Sequence, residues 1–141
     1  MYIVTGANGF IGSAMVWELN QKGHTNIVCV DTISTQERPI PLKGSRYSQF
    51  ILTDDLWNFL KSLGSSPQVR AVIHMGACSS TTETNREFLY KNNTLYTQHL
   101  FEWCRENKIP LIYASSAATY GAGELGFSDQ LDSEKLRPQI S

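Results

Sequence analysis

Three glycines near the N-terminus have the spacing with the clearest chemical meaning. Gly6, Gly9 and Gly12 come directly after the apolar run Tyr2–Thr5, and a helical pattern begins among them. Glycines at these positions permit a tight turn, the approach of a pyrophosphate to the backbone, and close packing of the helix on the strand. The pyrophosphate would lie on the free N–H groups at the positive end of the helix dipole. The sequence therefore predicts a dinucleotide-binding turn.

An acidic residue at the end of the next apolar run supports the same site. Asp31 lies about 20 residues beyond Gly12, and a carboxylate there can accept hydrogen bonds from the hydroxyls of an adenosine ribose. This favours NAD, because a carboxylate repels the 2′-phosphate of NADP. Arg38, in the loop that follows, could neutralise such a phosphate, although a solvated loop charge explains it equally well. On these residues alone both cofactors stay open.

Small and hydroxylated residues follow two later apolar runs. Residues 76–84 are mostly small, which would let the backbone approach a cofactor, and their hydroxyls could bind a substrate. Ser115 and Ser116 lie at the carboxyl end of the last run, the edge where open α/β sheets place their ligands. A serine hydroxyl there can donate to a sugar oxygen or a carbonyl and polarise it. Because serine pairs at strand ends are also common in turns, a purely structural role is the alternative.

Two further groups of polar residues interrupt apolar patterns. His74 lies inside a predicted strand, so we interpret it as a core histidine with bonded ring nitrogens rather than as an acid–base group. Asn92 and Asn93 interrupt an amphipathic helix. A buried asparagine costs stability unless its amide is hydrogen-bonded, so a structural or cofactor contact is predicted.

The elements that must position these residues alternate between strand and helix patterns. Five apolar runs predict strands at 2–5, 27–31, 49–52, 69–75 and 111–115. Three helical patterns lie between them. The first buries a face of Ile11, Met15 and Leu19, and the second carries Leu56, Phe59, Leu60 and Leu63 behind a cap at Thr53 or Asp54. The third runs from Glu87 to Asn107 and buries Leu89, Tyr96, Leu100 and Cys104. Gly23 and Gly64 are placed to end the first two helices.

This alternation predicts a doubly wound parallel α/β sheet, the Rossmann fold, within one domain over residues 1–141. Hydrophobic residues make up 41% of the chain and the net charge is −1. The chain is thus too apolar for a disordered tail and has no basic field for nucleic acid. No membrane-length apolar run and no secretory signal are present, which favours the cytoplasm. The 3 cysteines are widely spaced, so buried thiols are predicted rather than a metal site.

The motifs together resemble those of the extended short-chain dehydrogenase/reductases, which modify nucleotide sugars. The resemblance rests on residues 5–12, Asp31, residues 74–77, Asn93 and residues 115–121. Residues 76–83, followed by Asn92 and Asn93 and by residues 113–121, are similar to the ADP-L-glycero-D-manno-heptose 6-epimerases within that group. The run from Cys78 to Glu83 is the most specific of these features. The resemblance covers nearly the whole chain.

The resemblance implies an isomerase that inverts C6″ of an ADP-heptose by transient oxidation and reduction, for bacterial lipopolysaccharide core precursors. The implied cofactor is NADP, with NAD as the alternative, and the full-length enzyme would be a homo-oligomer without nucleic-acid or membrane partners. The implied cofactor contacts are Gly6, Gly9, Phe10, Ile11, Gly12, Asp31, Thr32, Arg38, Met75, Gly76, Ala77, Cys78, Ser79, Asn92 and Asn93. Ser116 is implied as the catalytic hydroxyl donor, and Ser80, Thr81 and Ser115 as substrate contacts. Relatives often carry Asn and Lys at positions 32 and 38, and Arg38 keeps that positive charge.

One departure from the family pattern bears on activity. In the family a Tyr-x-x-x-Lys supplies the base, because the lysine lowers the pKa of the tyrosine. No tyrosine of this sequence has lysine four positions later. The expectation is a Rossmann domain truncated after its fifth strand, without the catalytic helix and the C-terminal substrate domain, and inactive alone. Two alternatives remain open: another nucleotide-sugar epimerase or dehydratase, and a non-catalytic dinucleotide-binding module.

Overall fold

Five parallel strands form one sheet through the middle of the domain. The computed structural model describes residues 1–77, 84–128, 130 and 132. The strands are β1 (Tyr2–Thr5), β2 (Ile27–Asp31), β3 (Gln49–Leu52), β4 (Ala71–His74) and β5 (Leu111–Tyr113), in the spatial order β3-β2-β1-β4-β5. All four pairings are parallel. The predicted doubly wound sheet is confirmed, with β1 at its centre and β5 at one edge.

The helices lie between the strands in the predicted order. They are α1 (Phe10–Gln21), α2 (Leu56–Ser62), α3 (Arg86–Leu89) and α4 (Tyr96–Glu106), with a π-helical turn at Tyr90–Leu95 and 3₁₀ turns at Thr53–Asp55 and Ala117–Tyr120. No side chain caps α2. The predicted cap at Thr53 or Asp54 is wrong, because both residues belong to the 3₁₀ turn that leads into the helix.

Apolar side chains cover both faces of the sheet, as its central strands require. On one face Leu56 and Leu60 of α2 pack with Leu100 and Cys104 of α4. On the other face Val16 and Leu19 of α1 pack against alternate residues of β1 and β2, among them Val4 and Cys29. Residues 27–30 of β2 are buried throughout, which explains the uninterrupted apolar run there.

The buried face of α1 differs from the predicted one. Leu19 is buried, but Met15 is only partly buried and Ile11 is 56% exposed. The helix instead buries Gly12, Val16, Leu19 and Asn20. The physical reason is the contact of Gly12 with the turn after β1, which fixes the rotation of the helix. A larger side chain could not lie at that contact, so the apolar Ile11 remains outside.

Left-handed glycines end α1 and α2, as predicted. Gly23 has a φ of +81° and Gly64 a φ of +70°. The N–H of Gly23 donates to the carbonyl of Asn20 at 3.0 Å, and that of Gly64 donates to the carbonyl of Lys61 at 3.3 Å. Each glycine therefore satisfies an otherwise open carbonyl of the last helical turn.

Within the described part of the chain, no helix is long and apolar enough to cross a bilayer. The same residues contain no group of three or more His, Cys, Asp or Glu side chains placed to hold a metal ion.

Two thiols are expected to resist alkylation in the folded chain. Cys29 and Cys104 are both buried, as predicted, whereas Cys78 lies outside the described residues. Burial raises the pKa of the Cys29 thiol to about 12 and that of Cys104 to about 11. Since the thiolate is the nucleophile, iodoacetamide at mildly alkaline pH should modify neither until urea unfolds the chain. Peptide mapping measures each site, and equal labelling of Cys29 before and after unfolding would contradict the expectation.

Candidate dinucleotide-binding site

The turn after β1 and the loop after β4 meet backbone to backbone. Gly6 has a φ of +64°, and a Cβ on it would lie 2.7 Å from the amide nitrogen of Gly76 and 2.7 Å from the carbonyl of Met75. The amide of Gly76 also donates to Thr5 Oγ1 at 3.2 Å. These contacts leave room only for glycine at position 6. They bring the two predicted cofactor loops to the same edge of the sheet.

The start of α1 is shaped for an anion. A Cβ on Gly12 would lie 1.9 Å from the carbonyl oxygen of Gly6, so the helix packs directly on the turn. Gly9 is the N-cap, no side chain caps it, and the first turn of α1 has no acidic residue. The helix dipole therefore meets no protein carboxylate within this first turn. Phe10 is 91% exposed beside it. This narrow, side-chain-free cradle with free N–H groups fits a pyrophosphate.

Asp31 ends β2 next to this turn, and its carboxylate already accepts main-chain hydrogen bonds. Its Oδ2 accepts from the amide of Asn8 at 2.8 Å, and its Oδ1 accepts from the amide of Thr32 at 2.8 Å and that of Ile33 at 3.3 Å. A carboxylate oxygen has two lone pairs, so Oδ2 retains acceptor capacity. Binding of a ribose hydroxyl by Asp31 stays a prediction. The side chains of Thr32 and Arg38 are exposed in the following loop.

Asn8 is a residue of this site that the sequence analysis missed. It is fully buried between the glycines of the turn, and its side chain reaches the loop that follows β2. A polar side chain with two donor hydrogens, placed among glycines, was the available signal. Its partners depend on the path of a loop that shows no periodicity, and so they could not be read from the sequence.

His74 is a core histidine, as predicted. It is 4% exposed. Its Nδ1 lies 2.5 Å from Thr5 Oγ1, and its Nε2 lies 2.8 Å from Thr97 Oγ1. Thr97 donates to the carbonyl of Asn93 at 2.7 Å, so Nε2 carries the proton and Nδ1 accepts from Thr5. This neutral ring satisfies every partner, and burial lowers the pKa of His74. An acid–base role for His74 is not needed to explain its position.

Asn92 and Asn93 lie in the π-helical turn, which interrupts the helix predicted for residues 87–107. The uninterrupted α-helix is therefore wrong in this segment. Thr97 bonds the carbonyl four residues earlier, a contact that bends helices. Asn92 Nδ2 donates to Asn93 Oδ1 at 3.1 Å, and both residues are half-buried rather than buried. This bond is a structural contact, and a cofactor contact of the pair stays a prediction. Within the same predicted helix, Leu100 and Cys104 are buried, while Leu89 and Tyr96 are only partly buried.

Ser115 and Ser116 lie beyond the carboxyl end of β5 and are exposed. Ser116 Oγ accepts from the amide of Ala118 at 3.3 Å and so caps the 3₁₀ turn. The amide of Ala114 donates to the carbonyl of His74 at 3.3 Å, which keeps this segment beside the end of β4. The serines therefore share the sheet edge with the glycine turn. The predicted contacts Cys78, Ser79, Ser80 and Thr81 lie outside the described residues.

The parallel sheet, the glycine cradle at α1 and the acid at the end of β2 define a Rossmann dinucleotide-binding domain. The model of a protein family described as "NAD dependent epimerase/dehydratase family" matches residues 2–140 of this chain. The chain belongs to this family.

Comparison with individual proteins gives a finer similarity. An ADP-L-glycero-D-manno-heptose-6-epimerase of Fusobacterium nucleatum is 46% identical over 97% of this chain, which spans 41% of that relative. The solved structure of an ADP-L-glycero-D-manno-heptose-6-epimerase of Helicobacter pylori aligns with this chain with a TM-score of 0.69 and 28% identity. The alignment covers 85% of this chain and 40% of the Helicobacter pylori chain. A UDP-Glc/GlcNAc 4-epimerase of Campylobacter jejuni has a TM-score of 0.71 at 25% identity over 87% of this chain and 39% of its own. This chain thus spans about two fifths of these relatives' length.

Proposed function

We propose that the chain is the cofactor-binding part of an ADP-L-glycero-D-manno-heptose 6-epimerase. The observation that carries the proposal is the 46% identity to the Fusobacterium nucleatum epimerase across nearly the whole chain. Fold similarity alone does not separate the substrates, because the heptose 6-epimerase and the 4-epimerase have TM-scores of 0.69 and 0.71. Their identities of 28% and 25% are also close. A high identity to a named heptose epimerase is what favours the ADP-heptose.

The proposed roles follow from the positions of the residues. The cradle of Gly6, Gly9 and Gly12 holds the pyrophosphate, with the exposed Phe10 and Ile11 beside it. Residues 75–79 and the pair Asn92–Asn93 are proposed as further cofactor contacts, and Asp31, Thr32 and Arg38 as contacts of the adenosine ribose. A bound nicotinamide dinucleotide supplies reversible oxidation of a sugar carbon. Because Arg38 adds a positive charge to the loop that follows Asp31, we propose NADP, with NAD as the alternative.

Ser116 is proposed as the hydroxyl that donates to the oxygen on the reacting carbon, with Ser115, Ser80 and Thr81 as substrate contacts. An exposed serine at the carboxyl edge of the sheet can reach a substrate that lies on the cofactor. The base would be the Tyr-x-x-x-Lys pair of the family, which these 141 residues do not include. We therefore propose that residues 1–141 alone bind the dinucleotide without turning over substrate. We also propose that the full-length enzyme is a cytoplasmic homo-oligomer that takes part in the synthesis of lipopolysaccharide precursors.

The epimerase proposal predicts that the enzyme discriminates between sugar nucleotides. The longest reading frame that contains residues 1–141 should epimerise an ADP-heptose, and it should leave UDP-galactose unchanged. Substitution Ser116→Ala should lower kcat about 100-fold, the usual effect of losing one oxyanion donor. The exposed Ser128, beyond the 3₁₀ turn, gives the matched control Ser128→Ala, for which kcat should not change. The assay follows the C6″ epimers by proton NMR.

Three outcomes would contradict parts of this proposal. Turnover of UDP-galactose but not of the ADP-heptose would favour the other nucleotide-sugar epimerases. Failure of NADP and NAD to bind would exclude the dinucleotide site itself. Epimerisation by residues 1–141 alone would show that the chain holds its own base, and it would refute the non-catalytic module.

A further inference from the structure

The side-chain amide of Asn8 joins the glycine turn to the loop after β2. Its Nδ2 lies 3.0 Å from the carbonyl oxygen of Ile33, 3.2 Å from that of Ser34 and 2.9 Å from that of Arg38. The main-chain amide of the same residue donates to Asp31 Oδ2 at 2.8 Å. One fully buried residue therefore contacts both ends of residues 31–38.

The chemistry of these contacts requires an amide at position 8. Three carbonyl oxygens surround Nδ2, and only a donor satisfies them, so the amide must point its NH₂ toward the loop. A carboxylate at the same place would set negative oxygens against the three carbonyls. Alanine would leave all three without this donor, whereas the hydroxyl of serine carries one hydrogen and could satisfy at most one of them. The Oδ1 of Asn8 is buried without a partner among the described residues, which reduces the net stability that the amide contributes.

The held segment carries its own local turn. The carboxylate of Glu37 accepts from the amide of Ser34 at 3.1 Å and from its hydroxyl at 2.8 Å. The amide of Arg38 donates to the carbonyl of Ser34 at 3.0 Å. Residues 34–38 thus form a small closed unit, and Asn8 fixes that unit to the glycine turn. Arg38 belongs to this unit, and Thr32 lies between Asp31 and Ile33, which Asn8 also contacts, so both exposed side chains start from held backbone.

We infer that Asn8 is a positioning residue for cofactor specificity: it sets, before any ligand arrives, the distance from the pyrophosphate cradle to the residues that distinguish a ribose 2′-hydroxyl from a 2′-phosphate. The inference rests on the proposed dinucleotide function. Backbone that is already ordered in the bound conformation costs nothing to order on binding. Release of the loop should therefore cost most for the dinucleotide whose 2′ group the loop contacts.

A second asparagine on α1 supplies a matched control. Asn20 is buried, and its Nδ2 donates to the carbonyls of His24 at 2.9 Å and Arg46 at 2.8 Å. Its Oδ1 accepts from the amide of Arg46 at 2.7 Å. Asn20 thus fixes the far end of the same loop with the same kind of contact. It lies at the opposite end of α1 from the cradle, so it should contribute to stability alone.

The test compares dissociation constants of NADP⁺ and NAD⁺ by isothermal titration calorimetry, with thermal unfolding of each ligand-free variant. Asn8→Ala should move the ratio of the two constants toward one by about tenfold, equivalent to about 1.4 kcal/mol. Asn20→Ala should lower the melting temperature and leave the ratio as in the wild type. Because Asn8→Ala removes several buried contacts, Asn8→Ser in a cycle with Arg38→Gln provides the second measurement. The effect of Arg38→Gln on NADP⁺ affinity should shrink in the Asn8→Ser background.

The possible failures are distinct. A wild-type chain that binds neither dinucleotide would overturn the proposed function and this inference with it. Two other results would overturn the inference and leave the dinucleotide site intact. The first is a wild-type chain that binds NADP⁺ and NAD⁺ with equal affinity. The second is a wild-type chain that prefers one dinucleotide strongly and an Asn8→Ala variant with the same ratio of dissociation constants. An equal change of the ratio in Asn20→Ala would show that general loosening of the loop, and not Asn8, is responsible.

Discussion

The chain that carries Gly12→Ala is expected to lose its cooperative fold. An added Cβ would lie 1.9 Å from the carbonyl oxygen of Gly6, 2.6 Å from its carbonyl carbon and 2.9 Å from the Cα of Ala7. All three atoms belong to the backbone, so no side-chain rotation can relieve the contact. In an exposed helix interior the same substitution stabilises by about 1 kcal/mol. Here we expect a cost above about 5 kcal/mol, the lower range of total domain stability.

Gly23→Ala provides the comparison for this prediction. Gly23 has a φ of +81° and nothing within 4 Å of an added Cβ, so alanine should cost only the left-handed penalty of about 1–2 kcal/mol. Circular dichroism during heating measures both variants. Gly12→Ala should show no cooperative transition, whereas Gly23→Ala should melt cooperatively at a lower temperature than the wild type. A Gly12→Ala melt close to that of the wild type would refute direct packing of α1 on the turn.

Acidification is expected to destabilise the chain through His74. The folded state holds the neutral ring between Thr5 and Thr97, and burial lowers the pKa of His74 below its ordinary value of 6.5. Below that ordinary value the unfolded chain binds a proton that the folded chain does not. The free energy of unfolding should then fall as the pH falls, by up to about 1.4 kcal/mol per pH unit for this one proton. The contribution of His74 is complete above the ordinary value and is lost progressively below it.

The measurement is urea unfolding between about pH 5 and pH 8, where histidine titrates. His74→Gln keeps a donor and an acceptor but removes the titrating ring, so its stability should depend less steeply on pH than that of the wild type. His99→Gln, at an exposed position of α4, should keep the wild-type slope. All three proteins carry the same carboxylates, so a difference in slope is assigned to the substituted histidine. Equal slopes for the wild type and His74→Gln would show that the folded core accepts the proton.

The sheet and the glycine cradle could be predicted from the sequence because both depend on local pattern. The apolar run of residues 27–30 indicates a strand that is buried on both faces. Gly6 and Gly12 indicate places where two backbone segments meet too closely for a side chain. The face of α1 that is buried against the sheet could not be predicted in the same way. Ile11 is apolar and correctly spaced, yet the contact of Gly12 with Gly6 rotates it outward. Tertiary contact, and not periodicity, decides the face of this helix.

The contacts around Asn8 and His74 could not be predicted either, because they join residues distant in sequence. Asn8 meets Arg38 only through the path of an irregular loop. His74 meets Thr97 of α4, which lies 23 residues later in the chain and follows the π-helical turn. The motif identifies where a ligand can bind, whereas these partners determine how the loops around it are held.

The strand order has a consequence for how the chain folds as it is synthesised. The central strand β1 pairs with β4 in a register that joins Tyr2 to Ala71 and Thr5 to His74. At about 5–20 residues per second, the ribosome takes several seconds to proceed from β1 to β4, the second neighbour of β1 in the sheet. During that interval Ile3 and Val4 can pair on one side only. During synthesis the central strand of the sheet is therefore an open edge, at which another nascent chain can pair.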